Sequence, residues 1–447
     1  MSYKTSSYIL KTITDDGEMI IKNSLTQKIF KVRECDISLV EKIFSGKRCG
    51  DETAEIVQKL YQNGFLIDET TDEAQIVDYR FNKRMYNDSM LDLTIIPTNA
   101  CNFDCIYCYQ KEPYFYMNED TVNSILNFIE KHIREYSGVL ISWFGGEPLL
   151  AKELIAKFME KLREICLKAK RPFFATMTTN GYELDLKTFQ NLVANHVRRF
   201  QITIDGPKEI HNKQRPHKVK KDSFERIVKN LTEIKEKIRN TSYKIAIRIN
   251  ISSKVCVYIE EFIDWLYENF GNDPHFTIAF EFVRDWGGEK IQNNKDLLFD
   301  HDDERRWMDV LSQKGFSINT GFEKNGLSLS LCSASKINGY VINHNGKVYK
   351  CAMILENEKF EDINNIGYIA SDGRMIINEG KMIKWIGRDR ITENCHDCKH
   401  YPECMGISCP LGTKILHQPV RCNELFEAEY EYLLRNCAAV KNIEYII

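Results

Sequence analysis

The chain has 447 residues, 43% of them hydrophobic, and 61 Lys+Arg against 64 Asp+Glu give a formal net charge of −3. That length excludes a disulfide-stapled mini-protein, and the near-balance of charge excludes a global pull towards nucleic acid or an anionic membrane. No apolar run reaches the roughly 18 residues of a membrane span, and the opening MSYKTSSYILKTITDDGEMI has no apolar signal region. A cytoplasmic setting is therefore expected, where structural disulfides are rare and fifteen cysteines point to metal. The length suggests two or three domains.

Residues 1–80 read as a small unit. Strand-like pieces occur at Tyr8–Leu10, Met19–Ile21 and Lys28–Val32, followed by a helix in DISLVEKIF and a second from near Asp51. The second helix carries Ile56, Val57, Leu60 and Tyr61 on one face and stops at Asn63-Gly64. Strands followed by helices predict a winged-helix-like α+β domain. A DNA-binding role is disfavoured, because Glu52 to Asn63 holds one lysine and two glutamates. The stretch TDEAQIVDYRFNKRMYND reads as a linker leading to residue 90.

From residue 91 to about 300 the chain alternates. Strands are expected at Leu91–Ile96, Val139–Phe144, Phe173–Thr178, Phe200–Ile204, Ile245–Ile251 and Phe276–Val283. Helical patterns fall between them at Asn118–Tyr136, Leu150–Lys168, Asp185–Val193, Ser223–Ile238 and Val255–Tyr267. This alternation implies an α/β fold with a parallel sheet. Six units are too few for a closed eight-unit barrel, so a partial (β/α)6 TIM barrel is expected, with its chemistry beyond the carboxyl ends of the strands.

That is where CNFDCIYCYQ lies, directly after the first of these strands. Close-set cysteines can signify a disulfide framework, a zinc site, a redox pair or an iron–sulfur cluster. A structural zinc wants four ligands, and the next Cys or His is His132, inside a predicted helix. A four-iron cluster held by three thiolates keeps one iron open. Cys101, Cys105 and Cys108, with the aromatic Tyr107, match CxxxCxΦC, and in this position the run resembles the radical S-adenosylmethionine (SAM) enzymes. The resemblance implies a [4Fe–4S] cluster on the three cysteines. Its open iron would bind the SAM amino and carboxylate groups, and an electron from the cluster would generate a 5′-deoxyadenosyl radical.

Further motifs carry the resemblance across about residues 90 to 285. WFGGEPLL ends the second strand with Gly145, Gly146, Glu147 and Pro148, like the family's GGEP motif. Paired glycines let backbone approach a ligand closely, and a carboxylate suits the SAM ammonium. TTNGY ends the third strand, where Thr179 and Asn180 are implied ribose-side contacts. ITIDGPKEIHNKQRP follows the fourth, with Thr203 for the family's Ser, Asn212 for its Asp, and Arg215 as the implied partner of the SAM carboxylate.

A second cysteine field follows residues 301–331, a bridging stretch without cysteine. Cys332, Gly346 and Cys351 precede Cys395-x2-Cys398-x5-Cys404-x4-Cys409, and Cys422 closes the series. Over residues 332–430 this resembles the SPASM domain, which holds two auxiliary [4Fe–4S] clusters, so three clusters are expected in all. The departure is the spacing before Cys409, four rather than three; a pair of zinc knuckles is the other reading. The resemblance implies that Cys395, Cys398, Cys404 and Cys422 hold the distal cluster. Cys332, Cys351 and Cys409 would hold the nearer one, with an iron open to a substrate thiolate. Most of Cys35, Cys49, Cys166, Cys256 and Cys437 read as small buried hydrophobes, with a further ligand among them as the other reading, and 431–447 reads as a tail.

Ahead of such parts, GDETAEIVQKLYQNGFLID looks like the end of a RiPP recognition element, a module that binds the leader of a ribosomally made precursor peptide by strand addition. The expected whole is a peptide maturase. It would abstract a hydrogen from a cysteine-containing precursor and form a thioether from Cys sulfur to carbon, with flavodoxin or ferredoxin as electron donor. Carbon–carbon crosslinking, a sulfatase-type (formylglycine-forming) maturase, and a non-catalytic peptide or electron carrier are the alternatives. No nucleic acid or membrane partner is expected.

Overall fold

The computed structural model describes residues 3–299 apart from 15, 47–52, 88, 110–113, 284 and 286–288; then 307, 332–386 apart from 356, 393–404, 410–411, 415 and 443–446. These form two compact units. One takes in the described residues up to Tyr86, Trp307 and those from Glu393 onward; the other takes in those of 87–304 and 332–386. No described helix is long and apolar enough to cross a membrane.

In the first unit, β1 (Tyr3–Thr5) pairs antiparallel with β5 (Leu66–Asp68). Strands β2 (Ile9–Ile13), β3 (Met19–Asn23) and β4 (Ile29–Val32) form an antiparallel sheet in that order. Helices α1 (Ile37–Phe44) and α2 (Ala54–Gln62) cover one face, where Val40, Ile43 and Leu60 meet Met19, Ile21 and Phe30. The expected linker is instead mostly helical: α3 spans Glu73–Met85. Its many charges hid a stripe at i, i+4 and i+8, since Val77, Phe81 and Met85 are all buried. The Glu73 carboxylate accepts from Ser6 Oγ at 2.6 Å and Ser7 N–H at 2.8 Å, tying α3 to the start of the unit.

The second unit is built on one ten-stranded sheet. Strands β6 (Met90–Ile95), β7 (Gly138–Trp143), β8 (Phe173–Thr179), β9 (Val197–Thr203), β10 (Lys244–Ile251) and β11 (Phe276–Phe282) are parallel neighbours in chain order. The six expected strands are all present. The connecting helices are α4 (Glu119–His132), α5 (Lys152–Ala169), α6 (Leu186–Ala194), α7 (Lys208–Gln214), α8 (Ser223–Lys237), and the short α9 (Ser253–Cys256) and α10 (Ile259–Leu266). Helix α4 starts where the Asn118 side chain accepts from Thr121 N–H at 2.8 Å, and it buries Val122, Ile125 and Ile129 against the sheet.

The sheet does not stop at β6. Strand β12 (Gly339–Ile342) adds parallel to it, and β13 (Lys347–Tyr349), β14 (Asn365–Ile369) and β15 (Met375–Ile377) continue antiparallel. Residues 339–377, assigned from sequence to a separate cysteine-rich domain, thus extend the barrel sheet. The addition supplies partners for one oxygen of a buried acid: Asp92 Oδ2, in the middle of β6, accepts from Lys336 Nζ at 2.7 Å and Ser333 Oγ at 3.1 Å.

Candidate functional site

The cysteine loop leaves β6 and is pinned on both flanks. Thr98 Oγ1 donates to Phe115 O, and Phe115 N–H donates to Asn99 Oδ1, both at 2.6 Å. Asp104 and Ile106 N–H donate to Pro216 O at 2.9 Å and Gln214 O at 3.0 Å. Cys108 N–H closes a turn on Cys105 O at 3.2 Å. Burial pushes the Cys105 thiol up to about 12 and the Cys101 thiol up to about 11; neighbouring cysteines add to both rises, and Arg215 opposes them. Cys101 and Cys108 line a cavity of about 370 Å3 with Asn99, Tyr109, Tyr114 and Lys218. Among the described residues no three Cys, His, Asp or Glu side chains already converge on one metal position. What marks the loop is its donor set, three soft thiols close enough to feel one another's charge.

The GGEP turn after β7 grips this loop. Gly146 N–H donates to Thr98 O at 3.1 Å and Glu147 N–H to Ala100 O at 2.8 Å. A Cβ on Gly145 would lie 2.3 Å from Thr98 O, and one on Gly146 would lie 2.2 Å from Ala100 O. The close approach that requires glycine here is therefore to the cysteine loop's own backbone, where the sequence reading had invoked a ligand. The Glu147 carboxylate is likewise turned inward. It is fully buried and accepts from Thr179 Oγ1 at 2.6 Å, Asn180 N–H at 2.7 Å and Leu149 N–H at 2.9 Å. Burial raises its pKa to about 7 against those three bonds. The side chain assigned from sequence to an ammonium thus holds the end of β8. Pro148 opens the 3-10 turn Pro148–Ala151 behind it.

Thr179 and Asn180 sit buried at the end of β8, and Thr203 at the end of β9. Asn180 Nδ2 donates to Asn102 Oδ1 at 2.7 Å and lies 4.0 Å from Cys101 Sγ, so β8 also contacts the cysteine loop. Asn212 caps the next helix: its Oδ1 accepts from Ser223 Oγ and Phe224 N–H, each at 2.8 Å.

Tyr107 was singled out as an aromatic ring, but its hydroxyl is the centre of a network. It donates to Asp205 Oδ2 and accepts from Arg215 Nη1 at 2.7 Å and Asn250 Nδ2 at 3.1 Å. Asp205, fully buried, also accepts from Asn250 N–H at 2.7 Å, and its Oδ2 lies 3.8 Å from Arg215 Nη1. Burial raises the Asp205 pKa, with the Arg215 guanidinium opposing it. Asp205 N–H donates to His211 Nδ1 at 3.0 Å, which puts the proton of the neutral ring on Nε2; burial holds that ring well below its usual pKa. Arg215 Nε and Asn102 Nδ2 are buried with no partner among the described residues. Asp205 lies in the run ITIDGPKEIHNKQRP and Asn250 in the expected strand Ile245–Ile251, yet nothing in their local pattern marked them, because their partners come from other strand ends.

The second cysteine field is only partly described. Cys332 and Cys351 belong to the barrel unit, Cys332 exposed and Cys351 buried. Cys395 and Cys398 belong to the first unit, joined by a turn in which Cys398 N–H donates to Cys395 O at 3.1 Å. Cys404 ends the short helix Tyr401–Cys404, and its side chain lies outside the described residues, as do Cys409, Cys422 and all of 301–331 except Trp307. Cys166 and Cys256 are buried, as expected; Cys35 is exposed, and Cys49 and Cys437 lie outside the described residues.

Residues 95–251 match the Radical SAM superfamily. A cysteine-type anaerobic sulfatase-maturating enzyme of Clostridium perfringens is 24% identical over 351 residues, 71% of this chain and 88% of its own length. The radical SAM cyclopropyl synthase TigE of Paramaledivibacter caminithermalis is 23% identical over 280 residues, 56% of each chain. The chain spans less than two thirds of the first curated relatives it matches, TigE at 56% and an uncharacterised protein of Methanocaldococcus jannaschii at 59%. The solved structure of native anSMEcpe with bound AdoMet superposes with a TM-score of 0.58 at 19% identity, covering 78% of this chain and 98% of that one. The likeness is one of fold.

The superfamily implies a [4Fe–4S] cluster and SAM, and the residues present fit both. The three thiols of one loop suit iron, and the unpaired Arg215 Nε beside them suits an anionic group. Residues 95–251 therefore match the Radical SAM superfamily and carry its cysteine loop beyond the end of β6.

Proposed function

We propose that the chain is a peptide maturase that removes a hydrogen from a ribosomally made precursor and installs thioether crosslinks from Cys sulfur to carbon. The observation that carries this reading is the joint presence, on one chain, of two constructions. One is a cysteine loop at the strand ends with Arg215 Nε unpaired beside it. The other is a small antiparallel sheet, β2 to β4, backed by α1 and α2, of the kind that accepts a peptide strand. Cys101, Cys105 and Cys108 would hold the first cluster, whose chemistry there would be one-electron reduction of SAM. Arg215 binds the SAM carboxylate, held in place by Tyr107 and Asp205, and Asn180 lies on the ribose side. Glu147, Gly145 and Gly146 act indirectly by fixing the cysteine loop.

Cys332, Cys351 and Cys409 would hold a nearer auxiliary cluster, three protein thiolates that would leave room for a substrate thiolate, and Cys395, Cys398, Cys404 and Cys422 would hold a distal one. A flavodoxin or ferredoxin supplies electrons. Tethering the leader on the same chain as the barrel raises the core peptide's effective concentration, to about the millimolar range for a short flexible linker.

A second reading has its own support: the sulfatase-maturating relative matches across 88% of its length. The test is anaerobic incubation with SAM, dithionite and candidate peptides. Thioether formation releases 5′-deoxyadenosine, removes two hydrogens from the peptide and consumes an alkylatable thiol. Carbon–carbon crosslinking leaves the thiol, and formylglycine formation loses the sulfur. A chain that releases no 5′-deoxyadenosine would be a carrier, and the proposal would fail.

A further inference from the structure

Strand β4 is an edge of the three-stranded sheet, and that edge is taken by the chain itself. Glu444–Ile446 runs parallel to it: Lys31 N–H donates to Glu444 O at 3.0 Å, and Ile446 N–H donates to Lys31 O at 2.9 Å. From α2, Lys59 Nζ donates to Tyr445 O at 2.7 Å, so this short strand lies in the groove between β4 and α2. Tyr445 Oη donates to Glu18 Oε1 at 2.5 Å, and Glu18 in turn pairs with Lys31 at 3.0 Å. The Ile446 side chain is only 2% exposed and belongs to the same core as Val32, Leu60 and Phe65.

These contacts are what strand addition by a separate peptide would make. The main-chain bonds to Lys31 carry no sequence information; the Ile446 position, buried in the core, does. We propose that the β4–α2 groove is a strand-addition site for an extended peptide and that Glu444–Ile446 is its built-in occupant. A precursor segment with a large aliphatic side chain at the Ile446 position must displace it. Only the identity of that partner rests on the maturase reading; the competition itself rests on the contacts above. A tethered occupant acts at an effective concentration on the order of millimolar, so it raises the affinity an incoming peptide needs.

The probe is a fluorescein-labelled peptide of residues 441–447, KNIEYII. Its binding is read by anisotropy against the full chain, a chain ending at Val440, and the full chain carrying Ile446→Asp. The shortened chain should bind it at least about tenfold more tightly than the full chain, with Ile446→Asp close to the shortened chain. Hydrogen exchange gives a second readout. The Lys31 amide should be protected in the full chain, lose protection in the shortened one, and regain it when the peptide is added. Equal affinity for full and shortened chains, or Lys31 protection unaffected by shortening, would overturn the proposal. If the shortened chain does not fold, Ile446→Asp carries the comparison alone. SAM cleavage is measured in the same samples. Failure of groove binding with cleavage intact sinks the competition and leaves the enzyme reading. Groove binding by a chain that modifies no supplied precursor sinks the maturase reading and leaves the groove.

Discussion

Arg215 Nη1 donates to the Tyr107 hydroxyl at 2.7 Å, and this bond joins the cysteine loop to the stretch that follows α7. The family pattern asks only for an aromatic ring between the second and third cysteines. Here the ring's oxygen also fixes a buried guanidinium whose Nε is unpaired among the described residues. Tyr107 is thus a positioning residue for Arg215.

Tyr107→Phe keeps the ring and removes the oxygen. It should retain the iron of the first cluster while weakening SAM binding roughly tenfold or more, the scale of a lost hydrogen bond to a charged group. Iron content and SAM affinity by equilibrium dialysis separate the two effects. Unchanged affinity would show that Arg215 needs no help from Tyr107.

Changing Cys101, Cys105 and Cys108 together to Ala should remove about four irons per chain and abolish 5′-deoxyadenosine release, leaving about eight irons on the two proposed auxiliary clusters. Release that persists in the triple variant would move the radical site elsewhere.

Burial lifts the Glu147 pKa to about 7, so the folded protein holds this proton more tightly than the unfolded chain does. Its contribution to stability is fully present below the ordinary carboxyl value and is lost as pH rises through about 7. Denaturant midpoints between pH 5 and 8 should therefore fall more steeply in the natural protein than in Glu147→Gln. Parallel curves would mean that Glu147 titrates normally.

Gly146→Ala places a Cβ 2.2 Å from Ala100 O and 2.4 Å from Asn99 O, both backbone atoms that cannot swing away. The cost should be about 1–3 kcal/mol or more, with reduced iron retention in the first cluster, because the displaced backbone leads into Cys101. Gly46→Ala is the control. Gly46, unlike Gly146, has a positive φ, of 71°, so Ala there carries backbone strain alone, with nothing within 4 Å of the added Cβ. Thermal denaturation and iron content should single out Gly146.

Lys350 is buried and donates to Gly339 O at 2.6 Å and Lys336 O at 2.7 Å, fastening the loop between Cys332 and β12. Lys350→Met would leave those carbonyls without this donor, at a cost of about 1–3 kcal/mol. The lowered stability should show in denaturant unfolding, and hydrogen exchange should rise first across β12 and β13. Uniform exchange would argue that the lysine is not the fastening.

The sequence by itself determined the order of the barrel. Residues at β6 to β11 are apolar or β-branched in short runs separated by helical stripes, and that local periodicity is enough to name parallel strands and to put the cysteine loop beyond the first. It also determined the donor chemistry, since three thiols at that spacing are a covalent fact. Tertiary structure decided where long-range partners meet. The Tyr107 hydroxyl finds Asp205 and Asn250 only because β9 and β10 end beside the cysteine loop. The acid Asp92, out of place in a buried strand, has one carboxylate oxygen paired by Lys336 only once β12 pairs with β6. Helix α3 was misread because its charges outweigh a three-residue apolar stripe until there is a surface for that stripe to bury against. The pairing of Lys31 with Glu444 and Ile446 has no local signature at all. An edge strand exposes the same backbone donors and acceptors whatever its sequence, so which segment occupies it is settled by the folded chain.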